Sequence, residues 1–250
     1  MKTNIKNTIL ITGGASGIGY EFAKQLSDTN NVIIAGRNKQ KLEKAKEELK
    51  NIHIFECDVF NPREIESLYK EISDKFPNLN ILINNAGLSN RIDLQKEISY
   101  EKLIEEMNTN FNGSVYMTTQ FLPLLKKQKS ASIINVTSAL AYVPFANSPI
   151  YSASKAALHS FTQSLRIQLK DTNIKVFEIA PSVTKTQMLD SFSKEEQNKM
   201  KIMTTETLVG NSLKEINKGN YNIGVGETNA LKIINRISPS FAINMLNKRV

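Results

Sequence analysis

Thr8-Ile9-Leu10-Ile11-Thr12-Gly13-Gly14-Ala15-Ser16-Gly17-Ile18-Gly19 decides how the rest of this chain is read. Its first five residues form a bounded, β-branched apolar run, too short for a helix and suited to a buried parallel strand. Glycines crowd the next positions, and Tyr20-Glu21-Phe22-Ala23-Lys24-Gln25-Leu26 continues as an amphipathic helix. Strand, glycine turn and helix start together make a cradle for a diphosphate. Gly13 and Gly17 let the backbone approach the anion, and Gly19 lets the helix pack on the strand. Amides at the helix start, around Ala15, Ser16 and Ile18, bring partial positive charge. A tight turn without a ligand is the plainer alternative, and the flanking strand and helix argue against it.

The next apolar run, Asn31-Val32-Ile33-Ile34-Ala35-Gly36, ends in Arg37-Asn38. In a dinucleotide fold this strand end meets the adenosine ribose. An acid there accepts from a 2′-hydroxyl, whereas an arginine pairs with a 2′-phosphate. With no acid and one guanidinium, the residues point to NADP(H) over NAD(H), and Arg37 and Asn38 join the cofactor-binding set. An exposed arginine at a strand end is the alternative.

Strand-like and helix-like segments alternate onward. Strands are expected at 8–12, 32–36, 52–57, 79–84, 132–137 and 175–180, with a short last one at 221–226. Helices are expected at 17–29, 39–50, 62–76, 99–128 and 151–171, with Pro123 bending or interrupting the long one. This rhythm predicts an α/β fold, a Rossmann-type doubly wound parallel sheet in three α/β/α layers with right-handed crossovers. No repeat or linker divides residues 1–250, so a single domain is expected. After Pro181 the rhythm lapses. Residues 184–213 read as a segment covering the substrate, or else as an ordinary surface helix. Residues 227–250 read as a final basic helix with apolar Leu231, Ile234, Ile237, Phe241, Met245 and Leu246. That stripe suits packing on its own protein or a subunit neighbour, with membrane-surface contact as the alternative.

The formal charge of +8 raises a nucleic-acid or membrane-surface partner. Acids interleave with the lysines, as Glu43, Glu47 and Glu48 do within 39–50, and this describes a solvated face instead. Nucleic acid is therefore not expected as a partner. Cys57 is the only cysteine, and the residues before Thr8 lack an apolar leader, which fits a reducing cytoplasm. His53 and His159 are the only histidines and have no cysteine cluster nearby, so no metal site is expected.

Downstream, Tyr151-Ser152-Ala153-Ser154-Lys155 places a phenol and an ammonium one helical turn apart. A free phenol has a pKa of ~10, and a neighbouring cation and a helix N-terminus both lower it. Such a phenol serves general acid/base catalysis. Ser138 follows the expected strand Ile133-Ile134-Asn135-Val136-Thr137, at the sheet end where open α/β folds hold ligands. Its hydroxyl is suited to holding a substrate oxygen against the phenol.

With these motifs in place, residues 5–230 resemble the short-chain dehydrogenase/reductase family. The resemblance implies that Tyr151 is the general acid in reduction, that Lys155 holds the nicotinamide ribose, and that Ser138 orients the carbonyl. Asn110 in Asn108-Thr109-Asn110-Phe111-Asn112-Gly113 corresponds to an asparagine that bends its helix and anchors a water in the proton relay. Asn84-Asn85-Ala86-Gly87 matches the motif bordering the adenine ribose, which puts Asn85, Ala86 and Gly87 in the cofactor set. Asp58-Val59 resembles the adenine-binding pair, and Pro181, Thr184 and Thr186 the segment gripping the carboxamide. Ser182 departs from the pattern, because glycine is usual there. Asn51-Ile52-His53, Pro77-Asn78-Leu79-Asn80 and Ala157-Leu158-His159-Ser160-Phe161 further resemble the subgroup encoded with bacterial D-alanyl–teichoic-acid genes. The family implies hydride exchange between NADP(H) and a small, lipophilic carbonyl or secondary alcohol. It also implies a homodimer or homotetramer, with Leu158, Phe161, Leu165 and Leu169 offering an apolar face. A binding protein that senses NADP(H) without turnover is the competing reading. The pocket is expected to draw on Leu88, Tyr142, Val143 and Phe145.

Overall fold

The computed structural model describes residues 7–49 and 51–248. The reading of the N-terminal leader, and the extreme ends of segments 39–50 and 227–250, lie outside these residues. Seven strands form one parallel sheet: β1 (Thr8–Thr12), β2 (Asn31–Gly36), β3 (Ile52–Glu56), β4 (Leu79–Asn84), β5 (Ala131–Val136), β6 (Ile174–Pro181) and β7 (Asn222–Val225). Their order is β3-β2-β1-β4-β5-β6-β7. Alternate strand residues feed two cores. Ile9, Ile11 and Ile34 face α1 (Gly17–Ser27), α2 (Lys39–Leu49) and α8 (Thr205–Asn217), which contribute Phe22, Leu42 and Leu208. Leu10, Ile33 and Leu82 face α3 (Pro62–Lys75), α5 (Gly113–Lys126) and α6 (Pro149–Gln168), which contribute Ile72, Phe121 and Leu165. Each fully buried aliphatic side chain contributes roughly 1.5–3 kcal/mol. The expected three-layer, doubly wound sheet is present.

Strand order reverses between β1 and β4, which opens a crevice at their carboxyl ends. The glycine turn after β1 and Asn85-Ala86 after β4 lie there. The long helix expected at 99–128 is interrupted, although not by Pro123. A π turn at Asn108–Asn112 separates α4 (Tyr100–Met107) from α5, and α5 runs through Pro123 to Lys126. Residues 184–213 divide in two. A 3₁₀ turn (Gln187–Ser191) and α7 (Lys194–Asn198) form an outer part, while α8 buries Leu208, Val209, Ser212 and Ile216 against the sheet. The single last helix is instead α9 (Thr228–Ile237) and α10 (Pro239–Asn247), because Pro239 holds Ser238 out of helical conformation. Leu158, Leu165 and Leu169, expected to face a neighbouring subunit, are buried in this chain's own core.

Candidate active site

The glycine turn is locked to the end of β4 by short bonds. Thr12 Oγ1 accepts from the amides of Asn85 and Ala86, both at 3.0 Å. Asn85 Nδ2 donates to Thr12 O at 3.0 Å and Gly13 O at 3.2 Å. Asn85 therefore positions the turn from behind. Gly13 (φ 64°) and Gly17 (φ 56°) adopt the left-handed conformation that other residues resist. Ser16 caps α1 from extended backbone without a side-chain bond to the helix, so the first amides keep no capping partner. A Cβ on Gly17 would lie 3.3 Å from Thr186 Cγ2, which puts Thr186 across from the turn. This exposed, uncapped helix start with its bare glycines fits a dinucleotide diphosphate.

The adenosine side is more crowded than the sequence suggested. Arg37 Nη1 lies 3.1 Å from Glu105 Oε1 and 3.8 Å from Asp58 Oδ2. Asn38 Oδ1 accepts from Lys41 N at 2.9 Å and so caps α2. Lys41 Nζ donates to Gln187 Oε1 at 3.0 Å, linking α2 to the outer segment. Asp58 Oδ1 accepts from Phe60 N at 3.0 Å, and buried Val59 packs where Gly113 leaves room.

Two groups meet beside Gly87. A Cβ there would lie 3.2 Å from Asn110 Oδ1 and 3.5 Å from Lys155 Nζ. Asn110 sits in the π turn, accepts from Leu88 N at 2.8 Å, and donates to Leu88 O at 2.9 Å and Ser154 Oγ at 3.0 Å. Ser154 Oγ in turn donates to Tyr151 O at 2.8 Å, so Asn110 braces the helical turn that carries the phenol. Lys155 Nζ donates to Val136 O at 2.9 Å and lies 5.7 Å from the Tyr151 ring centre. Burial pulls the Lys155 pKa down to about 8. Burial also pushes Tyr151 up to about 12, opposed by a hydrogen bond from Ser138 and reinforced by the charge of Glu106. The expected acidified phenol is thus corrected. Desolvation outweighs every lowering influence here, and the ammonium is directed at a carbonyl. Ser138 Oγ also accepts from Leu140 N at 3.1 Å.

Ser182, the departure from the family pattern, has a matching partner. Gly226 has φ 73°, and any Cβ on it would overlap Ser182 Oγ, so a glycine missing at one position is present at the facing one. Thr184 Oγ1 donates to Ser182 O at 2.8 Å, and Pro181 closes β6. The outer segment is fastened from the opposite rim. Arg91 Nη1 donates to both Glu196 oxygens, at 2.8 and 2.9 Å, and Phe192 stacks on Phe145 with ring centres 6.3 Å apart.

Two buried acids escaped the sequence reading. Glu106 is fully buried, accepts from Asn90 N at 3.1 Å, and burial raises its pKa to about 7. Glu178 is fully buried and accepts from Thr137 Oγ1 at 2.8 Å and Tyr142 OH at 2.9 Å. It also pairs with His159 Nδ1 at 2.9 Å, and its bonds to His159, Thr137 and Tyr142 hold its pKa below the usual carboxylate range despite burial. A lone acid inside the apolar run Ile174–Pro181 was the available signal. This network ties the Tyr142 hydroxyl to Glu178, and Val143 is fully buried beside it in sequence.

The family model for short chain dehydrogenases matches residues 7–197. The uncharacterized oxidoreductase DltE of Bacillus subtilis strain 168 is 47% identical over 184 residues, 72% of either chain. An uncharacterized oxidoreductase of Staphylococcus epidermidis is 31% identical, over 85% of this chain and 93% of that one. A short chain dehydrogenase from Burkholderia cenocepacia, solved in complex with NADP, aligns with a TM-score of 0.84 at 22% identity over 96% of this chain and 97% of that one. A short chain dehydrogenase/reductase from Burkholderia phymatum, in complex with NAD, gives 0.86 at 19% identity over 96% of each chain. At those identities the solved structures bear on the fold alone.

Proposed function

The chain belongs to the short-chain dehydrogenase/reductase family, and from this we propose that it is an NADP(H)-preferring oxidoreductase working on a small, apolar carbonyl or secondary alcohol. The observation that carries the reading is that Asn110 and Lys155 both reach Gly87, while Ser138 hydrogen-bonds Tyr151 one helical turn before Lys155. A bound nicotinamide dinucleotide supplies the hydride. Ser138 and Tyr151 hold the substrate oxygen between two hydroxyls. With its pKa near 12, Tyr151 is protonated at neutral pH and gives its proton to that oxygen as the carbon is reduced. Lys155 holds the ribose hydroxyls, and Asn110 keeps the turn of α6 in place through Ser154.

Arg37 supports NADP(H), as does Lys41 close by, and no acid stands at 36–38. Exposed Ile104, Tyr116 and Ile167 on α4, α5 and α6 support a homodimer or homotetramer. Charge and cysteine content support a cytoplasmic enzyme. Following NADPH oxidation across aldehydes, ketones and quinones tests the reading. Turnover of at least one carbonyl is expected, and tight NADPH binding with no turnover across the panel would instead indicate a sensor.

A further inference from the structure

Helices α9 and α10 carry an apolar face that no other described part of the chain covers. Only Thr228 and Ala242 on them are buried. Ile233, Ile237, Phe241 and Met245 are 60, 79, 56 and 36% exposed. Each helix contributes a pair spaced one turn apart, and the two helices contact each other. Large apolar side chains exposed on two touching helices mark a contact surface. The charge is equally one-sided. Residues 228–250 contain Lys232, Arg236, Lys248 and Arg249 and no acid, which places four of the eight net positive charges at the end of the chain. Arg236 and Lys248 are exposed beside the apolar pairs, while Lys232 lies over the Tyr142 ring, 4.5 Å from its centre.

We propose that α9 and α10 seat this protein on an anionic lipid bilayer, lying in the interface with Ile233, Ile237, Phe241 and Met245 at the acyl boundary and Arg236 and Lys248 among the headgroups. No described helix is long and apolar enough to cross a membrane, so the contact is superficial. A second copy of the chain fits the face poorly. Across a two-fold axis the patch meets itself, and residues 228–250 offer no acid to receive its cations. A nucleic acid fits poorly as well, since Phe241 is the one ring among aliphatic groups where stacking would need several. The seat is rigidly joined to the candidate site. Asn235 Nδ2 donates to Tyr142 O at 3.0 Å, Asn247 Nδ2 to Pro144 O at 3.0 Å, and Asn247 Oδ1 accepts from Ala146 N at 2.7 Å. The wall bearing Phe145 is thereby held against the membrane-facing helices. Delivery of a lipid-dissolved carbonyl to the site follows, a consequence that rests on the oxidoreductase reading, whereas the seat itself does not.

Sedimenting the full chain with vesicles of phosphatidylcholine alone, or mixed with phosphatidylglycerol, tests the seat without any turnover assay. Binding at least about tenfold tighter to the anionic vesicles is expected, weakening as salt is raised. The double variant Ile237→Glu/Phe241→Glu is expected to lose that binding while keeping its Tm and NADPH affinity. Failure to bind anionic vesicles, equal binding to both compositions, or undiminished binding by the variant would overturn the proposal. So would a variant whose only change is a smaller mass in light scattering, which would assign the face to a second copy.

Discussion

Arg37 stands at the rim where β2 ends, its guanidinium shared between Glu105 and Asp58. All three side chains are partly exposed, so these pairs contribute no more than about 1 kcal/mol. On the proposed NADP(H) preference, a doubly charged 2′-phosphate matched to the guanidinium fork takes their place. Arg37→Ala is therefore expected to weaken NADPH roughly tenfold to a hundredfold while leaving NADH little changed, measured by fluorescence titration. Equal losses for both cofactors would remove Arg37 from 2′-phosphate recognition. Glu106 makes a second prediction. Its pKa rises from 4.5 to about 7 on burial, so the folded protein holds this proton more tightly than the unfolded chain. The associated stability is intact below the unfolded value and is lost as pH climbs through about 7. Glu106→Gln keeps the acceptor for Asn90 N without the charge. Thermal melts are expected to show the variant more stable by up to roughly 3 kcal/mol in mildly alkaline buffer, with the advantage vanishing in acid. A pH-independent difference would contradict this account. Spacing made Tyr151 and Lys155 legible as neighbours, but it carries no information about desolvation. That is why the direction of the phenol's shift was misread while its position was not.

Elements with a simple period were the most readable. The apolar runs Ile9–Ile11 and Ile81–Ile83, closed by hydrogen-bonding Thr12 and Asn84, marked β1 and β4 to the residue, because a strand buried on both faces is mostly apolar. Pro123 does not interrupt the helix, and the break falls at Asn110, where the family resemblance put a bend. A proline removes one bond and strains one turn, a cost that α5 absorbs by burying Phe121, Leu124 and Leu125. A π turn leaves no trace in apolar spacing, yet it aims Asn110 at Leu88 and Ser154. The β6–β7 junction was half legible. Ser182 stood out as a missing glycine, whereas its compensation at Gly226 depends on two segments meeting in space. Gly226→Ala is expected to cost at least about 1 kcal/mol from its positive φ, plus the overlap with Ser182. Adding Ser182→Gly should recover part of that loss in a double-mutant cycle of denaturant melts. Strict additivity would show that the two positions do not compensate each other.

At the scale of the whole molecule, the alternation of strands and helices fixed a parallel sheet, and its reversal between β1 and β4 fixed where ligands go. Tyr151 reaches this crevice from α6, Ser138 from the end of β5, Asn110 from the π turn and Lys155 from one turn further along α6. Three separate segments converge there. Glu178 and His159 stayed hidden because each is unremarkable alone, and only the packing of α6 on β6 joins them. The most direct measurement replaces the phenol alone. Tyr151→Phe keeps the ring and its packing and removes the hydroxyl proposed to give its proton to the substrate oxygen. Carbonyl-dependent NADPH oxidation is expected to fall at least about a thousandfold, with the NADPH dissociation constant changed less than about threefold. Turnover that survives this substitution at close to the parent rate would contradict the central claim.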